Sequence, residues 1–156
     1  MDVVIIGAGG HGRVVLDILR CAGQHRVVGF LDADPALVGS DIHGVPVLGP
    51  VNVLMRLRQQ KVKGAIVAIG DCRTRKAYAA EIRAAGLETV NAIHPSAVVS
   101  EQAVLGSNVV ICAGAVVCTD ATIGDSVVVN TGAVVDHECV IAEAAFIGPV
   151  RCWPAV

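Results

Sequence analysis

One histidine in the second half of the chain has the neighbours of a catalytic base. His137 stands between Asp136 and Glu138. A carboxylate beside an imidazole stabilises the protonated ring and so raises its basicity, which suits a general base working near neutral pH. The alternative interpretation of the same residues is a solvated histidine in a surface turn.

A glycine-rich segment near the N-terminus is a candidate phosphate-binding loop. Gly7, Gly9 and Gly12 fit the pattern GxGxxG, and His11 lies within it. Glycines let the backbone approach a pyrophosphate, and the start of a helix offers free N–H groups to it. Asp32, twenty residues after Gly12, could accept hydrogen bonds from a ribose or a base. His11 is a candidate contact to the same ligand, and a tight turn without any ligand is the alternative.

The segments around this loop predict a parallel α/β domain. Strands are expected at residues 3–6, 26–31, 45–48, 63–69 and 88–91, and helices at 13–21, 51–59 and 74–85. Strands that alternate with helices form a parallel sheet with right-handed crossovers. Residues 1–91 have room for one mononucleotide-binding half and little more, which favours a nucleoside-diphosphate ligand over NAD.

The second half of the chain repeats every six residues. An aliphatic residue recurs at each sixth position from Ile93 to Ile147. This period belongs to neither an α-helix nor a flat strand, but it is typical of a parallel β-helix with three hexads per triangular coil. We expect about three coils whose stacked faces hold Ile93, Ile111, Val129 and Ile147, then Val99, Val117 and Val135, then Leu105, Ile123 and Ile141. In this register His137 lies at an outward turn.

The predicted organisation is a nucleotide-binding domain at 1–91, a β-helix at 92–148 and an aberrant tail at 149–156. The tail breaks the hexads because Arg151 stands where a small residue is expected. The tail can be encoded by codons that change reading frame when a single G is inserted. In the new frame, small and aliphatic residues again occupy the hexad positions. We therefore expect a frameshifted and truncated form of a longer protein.

Composition excludes several classes of function. Apolar residues make up 54% of the chain, yet no apolar run approaches the roughly 18 residues of a membrane span. The net charge of −2 and the lack of a basic stripe argue against nucleic acid as a partner. The six cysteines form no CxxC pair and no zinc-like cluster with histidine, so we expect reduced thiols, no metal and a cytoplasmic location.

Taken together, these motifs resemble the sialic-acid O-acetyltransferase and UDP-amino-sugar N-acetyltransferase (NeuD/PglD-like) family. The likeness rests on Gly7–Gly12, Phe30-Leu31-Asp32, Ala68-Ile69-Gly70-Asp71, Ile93-His94-Pro95-Ser96-Ala97 and Asn130 through Ile141. The resemblance implies a Rossmann-like domain that binds a nucleotide-sugar. It further implies a left-handed β-helix that forms a homotrimer and binds acetyl-CoA between subunits.

The resemblance also assigns roles to residues. His137 would be the general base of sugar acetylation and Glu138 would orient it, while Asn130 would contact the sugar or support the histidine. The nucleotide would be held by Gly7, Gly9, Gly12, Asp32, Gly70 and Asp71. Family members often carry a second histidine nine residues after the first, where this chain has Phe146. One coil beyond His137 the chain is already in its tail, so the coils for acetyl-CoA are expected to be missing and activity to be doubtful.

Two other functions remain open from the sequence. One is a nucleotide-sugar-binding module whose β-helix serves only assembly. The other is an NAD-dependent oxidoreductase, which the hexads and the short first domain disfavour. The sequence specifies neither the sugar nor the choice between N- and O-acetylation.

Overall fold

The computed structural model describes residues 1–150, which form two halves packed side by side. Residues 151–156, with most of the predicted aberrant tail, lie outside the described residues. The strands of the first half are β1 (Asp2–Ile6), β2 (Arg26–Leu31), β3 (Asp41–Ile42), β4 (Val45–Gly49), β5 (Gly64–Val67) and β6 (Glu88–Thr89). Its helices are α1 (Gly10–Ala22), α2 (Leu54–Gln59) and α3 (Cys72–Ala84), with 3-10 turns at Pro35–Leu37 and Val51–Val53.

The first half is built on one sheet with the strand order β3-β4-β2-β1-β5-β6. Neighbouring strands run parallel except β3 and β4. Strand β1 lies near the centre, and its residues Val3–Ile6 are at most 1% exposed, as expected of a parallel strand covered on both faces. The predicted parallel α/β domain is confirmed.

The sheet also has an edge hairpin that was not predicted. Strands β3 and β4 are joined by His43 and Gly44, whose φ angles are +52° and +81°. A two-residue turn with two positive φ angles is a common hairpin connection. The glycine between Ile42 and Val45 was the available signal, but a two-residue strand has too short a pattern to reveal it.

Two helices begin earlier than predicted. Helix α1 starts at Gly10 and not at Arg13, because the chain turns at Gly7, where φ is +107°, and is already helical within the glycine loop. Helix α3 starts at Cys72 and not at Thr74, because the Asp71 carboxylate caps it and accepts the Thr74 N–H at 2.8 Å. Both differences place more of the loop residues at helix N-termini than expected.

The second half consists of two-residue strands that wind into a left-handed β-helix. They are β7 (Ala92–Ile93), β8 (Val98–Val99), β9 (Val104–Leu105), β10 (Val110–Ile111), β11 (Val116–Val117), β12 (Thr122–Ile123), β13 (Val128–Val129), β14 (Val134–Val135), β15 (Val140–Ile141) and β16 (Phe146–Ile147). Each strand pairs in parallel with the strand three further along, which gives the sheets β16-β13-β10-β7, β14-β11-β8 and β15-β12-β9. The three predicted faces are confirmed residue by residue.

One face of the coils packs against the first half. The outward residues Ala92, Val110 and Val128 of the β7-β10-β13-β16 face are fully buried, in the same apolar cluster as Leu16 and Leu19 of α1. The longest helices among residues 1–150, α1 and α3, have 13 residues each, and no helix there is long and apolar enough to cross a bilayer.

Candidate active site

The glycine loop follows β1 and is fixed by close backbone packing. Gly7 donates its N–H to the carbonyl of Leu31 at 2.8 Å. A Cβ on Gly7 would lie 2.6 Å from the Ala68 carbonyl oxygen, and one on Gly12 would lie 2.0 Å from the Gly7 oxygen. Neither position therefore accepts a side chain. A Cβ on Gly9 would meet nothing within 4 Å, so the space above the start of α1 is open.

The Asp32 carboxylate holds this loop in place. Its Oδ2 atom accepts the Ala8 N–H at 2.8 Å and its Oδ1 atom accepts the Asp34 N–H at 3.0 Å. A carboxylate offers about four lone-pair sites, so two hydrogen bonds leave further acceptor capacity. The contact of Asp32 with a ribose or a base stays a prediction.

Gly70 and Asp71 lie beside the loop at the end of β5. The Asp71 carboxylate accepts hydrogen bonds from the Thr74 hydroxyl at 2.7 Å and from the Thr74 N–H, and these bonds hold the pKa of Asp71 below its usual range. A Cβ on Gly70 would meet nothing within 4 Å. We call the carboxyl ends of β1, β2 and β5 the loop edge. Parallel α/β sheets bind ligands at such an edge, where the strand order reverses.

His11, near the start of α1, has an unsatisfied ring nitrogen. Its Nε2 atom is buried and has no hydrogen-bond partner among residues 1–150. Burial, and then the charge of Arg75, lower the pKa of His11, which keeps the imidazole neutral. The ring meets that of Phe146 edge to face, with centroids 6.4 Å apart. His11 and the last described coil therefore form one wall.

His137 and Glu138 lie on the turn between β14 and β15, which we call the outer vertex. The His137 Nδ1 atom is 3.1 Å from Glu138 Oε2, and the side chains are 63% and 78% exposed. The His137 N–H donates to Asp136 Oδ1 at 2.8 Å. When Nδ1–H donates a hydrogen bond to Glu138, the Nε2 atom carries the lone pair and is free to accept a proton. The predicted base and its orienting carboxylate are thus adjacent and open to a substrate.

Asn130 lies on a different vertex, between β13 and β14. Its Oδ1 atom accepts the N–H of Thr131 at 2.7 Å, so the side chain shapes its own turn. Within one chain the structure does not bring Asn130 next to His137, since strand β14 separates them.

The outer vertex lies on the far side of the coils from the loop edge. The face that packs on α1 is β7-β10-β13-β16, and the outer vertex joins the other two faces. In a triangular coil the vertex between two faces is opposite the third. One chain therefore does not place His137 over Gly7–Gly12.

Arg75 is a residue whose role the sequence analysis missed. It was expected only as a residue of the helix predicted at 74–85, yet it is 0% exposed, and its guanidinium donates hydrogen bonds to backbone carbonyls. Beside it the turn residues Asn108, Ser126 and Ala144 repeat one coil apart with φ of +59°. Asn108 accepts the Val67 N–H at 2.8 Å and donates to Ser126 Oγ at 3.0 Å. We call these four residues the seam.

A second cluster resembles a metal site without being one. Candidate ligand atoms of Asp17, Cys21 and His94 lie within 4.8 Å of one another. The Ser96 N–H donates to His94 Nδ1 at 3.0 Å, which puts the ring proton on Nε2. Neither ring nitrogen is then free for a metal. The hydrogen bond agrees with a structural role of His94 in its turn.

Comparison with known proteins identifies relatives for both halves. Residues 2–82 match the family of the PglD N-terminal domain. The chain is 32% identical over 115 residues to the UDP-N-acetylbacillosamine N-acetyltransferase of Bacillus subtilis (strain 168), a match that spans 72% of this chain and 51% of that protein. The chain spans about half the length of the curated relatives it matches.

Solved structures extend the likeness to the β-helix. PerB from Caulobacter crescentus, in complex with CoA and GDP-perosamine, superposes with a TM-score of 0.89 at 46% identity, over 96% of this chain and 69% of that chain. A further structure of the Caulobacter perosamine N-acetyltransferase carries a histidine-to-asparagine substitution. The acetyltransferase domain of PglB from Neisseria gonorrhoeae, in complex with acetyl coenzyme A, superposes with a TM-score of 0.87 at 35% identity, over 95% of this chain and 70% of that chain.

The family match covers more than half of the chain, and the superpositions cover nearly all of it. The chain belongs to the NeuD/PglD-like family of sugar acetyltransferases.

Proposed function

We propose that this chain carries the sugar-binding and base-bearing parts of an acetyl-CoA-dependent N-acetyltransferase that acts on an amino group of a nucleotide-linked sugar. The observation that supports it most directly is the exposed His137–Glu138 pair, 3.1 Å apart on a β-helix that is joined to a glycine-loop domain. The named relatives are N-acetyltransferases of nucleotide-linked amino sugars, so the N-acetylation branch is preferred over O-acetylation.

In this proposal His137 acts on the attacking amine. Its Nε2 atom accepts the proton that the sugar nitrogen loses as it bonds to the thioester carbonyl of acetyl-CoA. Glu138 accepts a hydrogen bond from Nδ1–H and stabilises the imidazolium that forms. The proton then returns to the departing CoA sulfur, and the products are the sugar amide and free CoA.

The loop edge is the proposed site of the nucleotide part of the substrate. A diphosphate would lie above Gly9 and Gly70, where a Cβ would meet nothing, at the N-terminus of α1. Gly7 and Gly12 permit the tight turn, Asp32 fixes it, and Asp71 caps α3 beside it. His11 is the proposed contact to the sugar or the diphosphate, because its buried Nε2 atom has no hydrogen-bond partner among residues 1–150 and a small rotation of the ring would turn it toward the loop.

The opposite placement of the loop edge and the outer vertex supports a site completed between copies of the chain. The faces on either side of the outer vertex carry exposed valines: Val98 is 63% exposed, Val104 62%, Val134 59% and Val140 77%. Exposed apolar side chains grouped on one face of a protein mark association surfaces. We propose a homotrimer in which His137 of one copy faces the loop edge of the next, with acetyl-CoA between them.

The domain division follows the same reasoning. We propose a nucleotide-sugar-binding domain at 1–91 and a coil domain at 92–148, since strand β7 begins at Ala92. Acetyl-CoA binding is part of the same proposal, and the curated relatives are about twice as long as the part of them that this chain matches.

Separate titrations and one assay test this function. GDP-perosamine, acetyl-CoA and NAD would be titrated into the protein by calorimetry, and CoA release would be followed with a thiol reagent. We expect binding of the sugar nucleotide, and CoA release that depends on it. Gly9→Asp, which introduces a carboxylate at the open loop, should abolish sugar-nucleotide binding, and Gly148→Asp serves as the matched control at another open glycine.

The other functions give different results in the same experiment. Sugar-nucleotide binding without acetyl-CoA binding or CoA release would indicate a binding module. Tight binding of NAD in place of the sugar nucleotide would indicate an oxidoreductase and would overturn the proposal.

A further inference from the structure

Arg75 is the largest fully buried side chain of the structure. It lies in the first turns of α3, where its own N–H bonds to the Asp71 carbonyl at 2.9 Å. No carboxylate forms an ion pair with it among residues 1–150. Burial of an unpaired charge costs several kcal/mol unless hydrogen bonds compensate for it. The burial of the Arg75 guanidinium is therefore unfavourable by itself, and its hydrogen bonds indicate what compensates for it.

All five N–H groups of the guanidinium meet backbone carbonyls. The Nη1 atom donates to Ile69 at 2.7 Å and to Gly70 at 2.9 Å. The Nη2 atom donates to Ala144 at 2.6 Å and to Ala145 at 3.5 Å, and Nε donates to Ser126 at 2.7 Å. A guanidinium has five donors in a rigid plane, whereas an ammonium has three donors at one point. Lysine therefore cannot reproduce this set.

The bonded segments are the two sides of the loop edge. Ile69 and Gly70 follow β5 and lie beside the glycine loop, since a Cβ on Gly7 would lie 2.9 Å from Ile69 Cγ1. Ala145 directly precedes Phe146, whose ring contacts His11. One planar group thus sets the position of the β5 end relative to the coil that carries Phe146.

We propose that Arg75 is a positioning residue for sugar-nucleotide binding, which holds the Ile69–Gly70 segment and the Phe146 wall at a fixed separation across the loop edge. This inference rests on the proposed nucleotide site. Arg75 touches no substrate; it acts through carbonyls that fix the loop edge on one side and the His11–Phe146 contact on the other.

Connection of the two halves alone does not require Arg75. Asn108 already joins Val67 to the coils, and Lys76 pairs with Glu143 at 2.6 Å on the same surface. Lys76 is the matched control, because it is the next residue of α3 and bridges to the same turn while remaining exposed.

The test compares Arg75→Lys with Lys76→Met in the full chain. The dissociation constant of GDP-perosamine would be measured by calorimetry, the His11 ring signals by ¹H–¹³C NMR and the fold by thermal unfolding. We expect Arg75→Lys to shift the His11 signals and to weaken binding by about tenfold or more, equivalent to about 1.4 kcal/mol. Lys76→Met should leave the His11 signals unchanged and the dissociation constant within about twofold of the wild-type value, as is usual for an exposed ion pair.

Other results would overturn the inference. If Arg75→Lys only lowers the unfolding temperature while the His11 signals and the dissociation constant stay as in the wild type, Arg75 is a structural residue. If Arg75→Lys does not fold, Phe146→Leu is the second test, because it removes the partly exposed ring that contacts His11. Weaker binding supports the inference, and unchanged binding contradicts it. Failure of the wild type to bind GDP-perosamine would contradict the proposed function instead, and the His11 signals of Arg75→Lys would still report on the position of the wall.

Discussion

Turn residues at the seam and at the outer vertex share the same positive φ angle, but the seam is buried and the outer vertex is exposed. Asn108, Ser126 and Ala144 at the seam have φ of +59°, and so do Asp120 and Glu138 at the outer vertex column. The first set is covered by the other half of the chain, and its polar groups are paired. The second set is exposed, consists of carboxylate residues and includes Glu138, the neighbour of His137. The coil supplies identical turns, and the covering element decides whether a turn stabilises the fold or remains open for chemistry.

The largest expected effect is on activity, at the outer vertex. His137→Ala should lower kcat by about 100- to 10,000-fold, the usual contribution of a general base. The free energy of unfolding should change by less than about 0.5 kcal/mol, because the side chain is 63% exposed. Steady-state kinetics and urea unfolding measure the two effects. Thr119→Ala, one coil earlier, is the control, and an equal loss of activity there would remove the distinction that gives His137 its role.

The next effect is on stability, at the seam. Asn108→Ala leaves the buried Val67 N–H unpaired, which costs about 1–3 kcal/mol. Alanine in the left-handed region adds about 1 kcal/mol, so we expect a loss of about 2–4 kcal/mol in the free energy of unfolding.

Asp120→Ala is the control for the seam, because Asp120 has the same φ in an exposed turn. It should lose only the backbone contribution of about 1 kcal/mol. Equal losses in urea unfolding would mean that burial does not distinguish the two columns.

A smaller effect should depend on pH. His11 has a pKa lowered below 6.5, chiefly by burial and then by the charge of Arg75. Below about pH 6.5 the unfolded chain binds more protons than the folded one, so stability present above that pH is lost as the pH falls through the folded-state pKa. The His11→Gln variant should therefore lose less unfolding free energy than the wild type as the pH falls from neutral to below the folded-state pKa of His11. Parallel curves for the two proteins would contradict a neutral, buried His11.

The smallest effect is expected at the rim of the seam. Lys76 and Glu143 form an ion pair at 2.6 Å, but their side chains are 61% and 39% exposed. Exposed pairs contribute about 0–1 kcal/mol and weaken with salt. Lys76→Ala should therefore lower the unfolding free energy by less than about 1 kcal/mol at low salt, and still less at high salt. A loss as large as that of Asn108→Ala would mean that the seam extends to the surface.

The repeated features of the fold could be predicted from the sequence, whereas single contacts between the two halves could not. The hexads predicted which aliphatic residues share each coil face, because the period repeats many times and a single misfit cannot shift it. The outward position of His137 followed from the same register. The glycine loop and the parallel sheet were recognised from a motif in its context.

Contacts between the two halves were beyond that reasoning. Arg75 lies on a helix with a polar pattern, and its partners are carbonyl oxygens, which every residue has and no side-chain pattern reveals. Asn108 and Val67 are likewise far apart in the chain, so their bond has no local signal. The opposite positions of His137 and the loop edge became apparent only when the face that packs on α1 was known.

The stacked coils also divide the long axis of the protein into equal steps. Neighbouring strands in a sheet are about 4.8 Å apart, so His137 can stand only at whole multiples of that spacing from any residue in its vertex column. An insertion of three complete hexads before Asn130 would carry His137 one step along the axis while its exposure and its neighbours stay the same. An insertion of one hexad would rotate it to another vertex. The position of His137 along the coil axis is therefore set by the number of coils, so it can change only in steps of one coil.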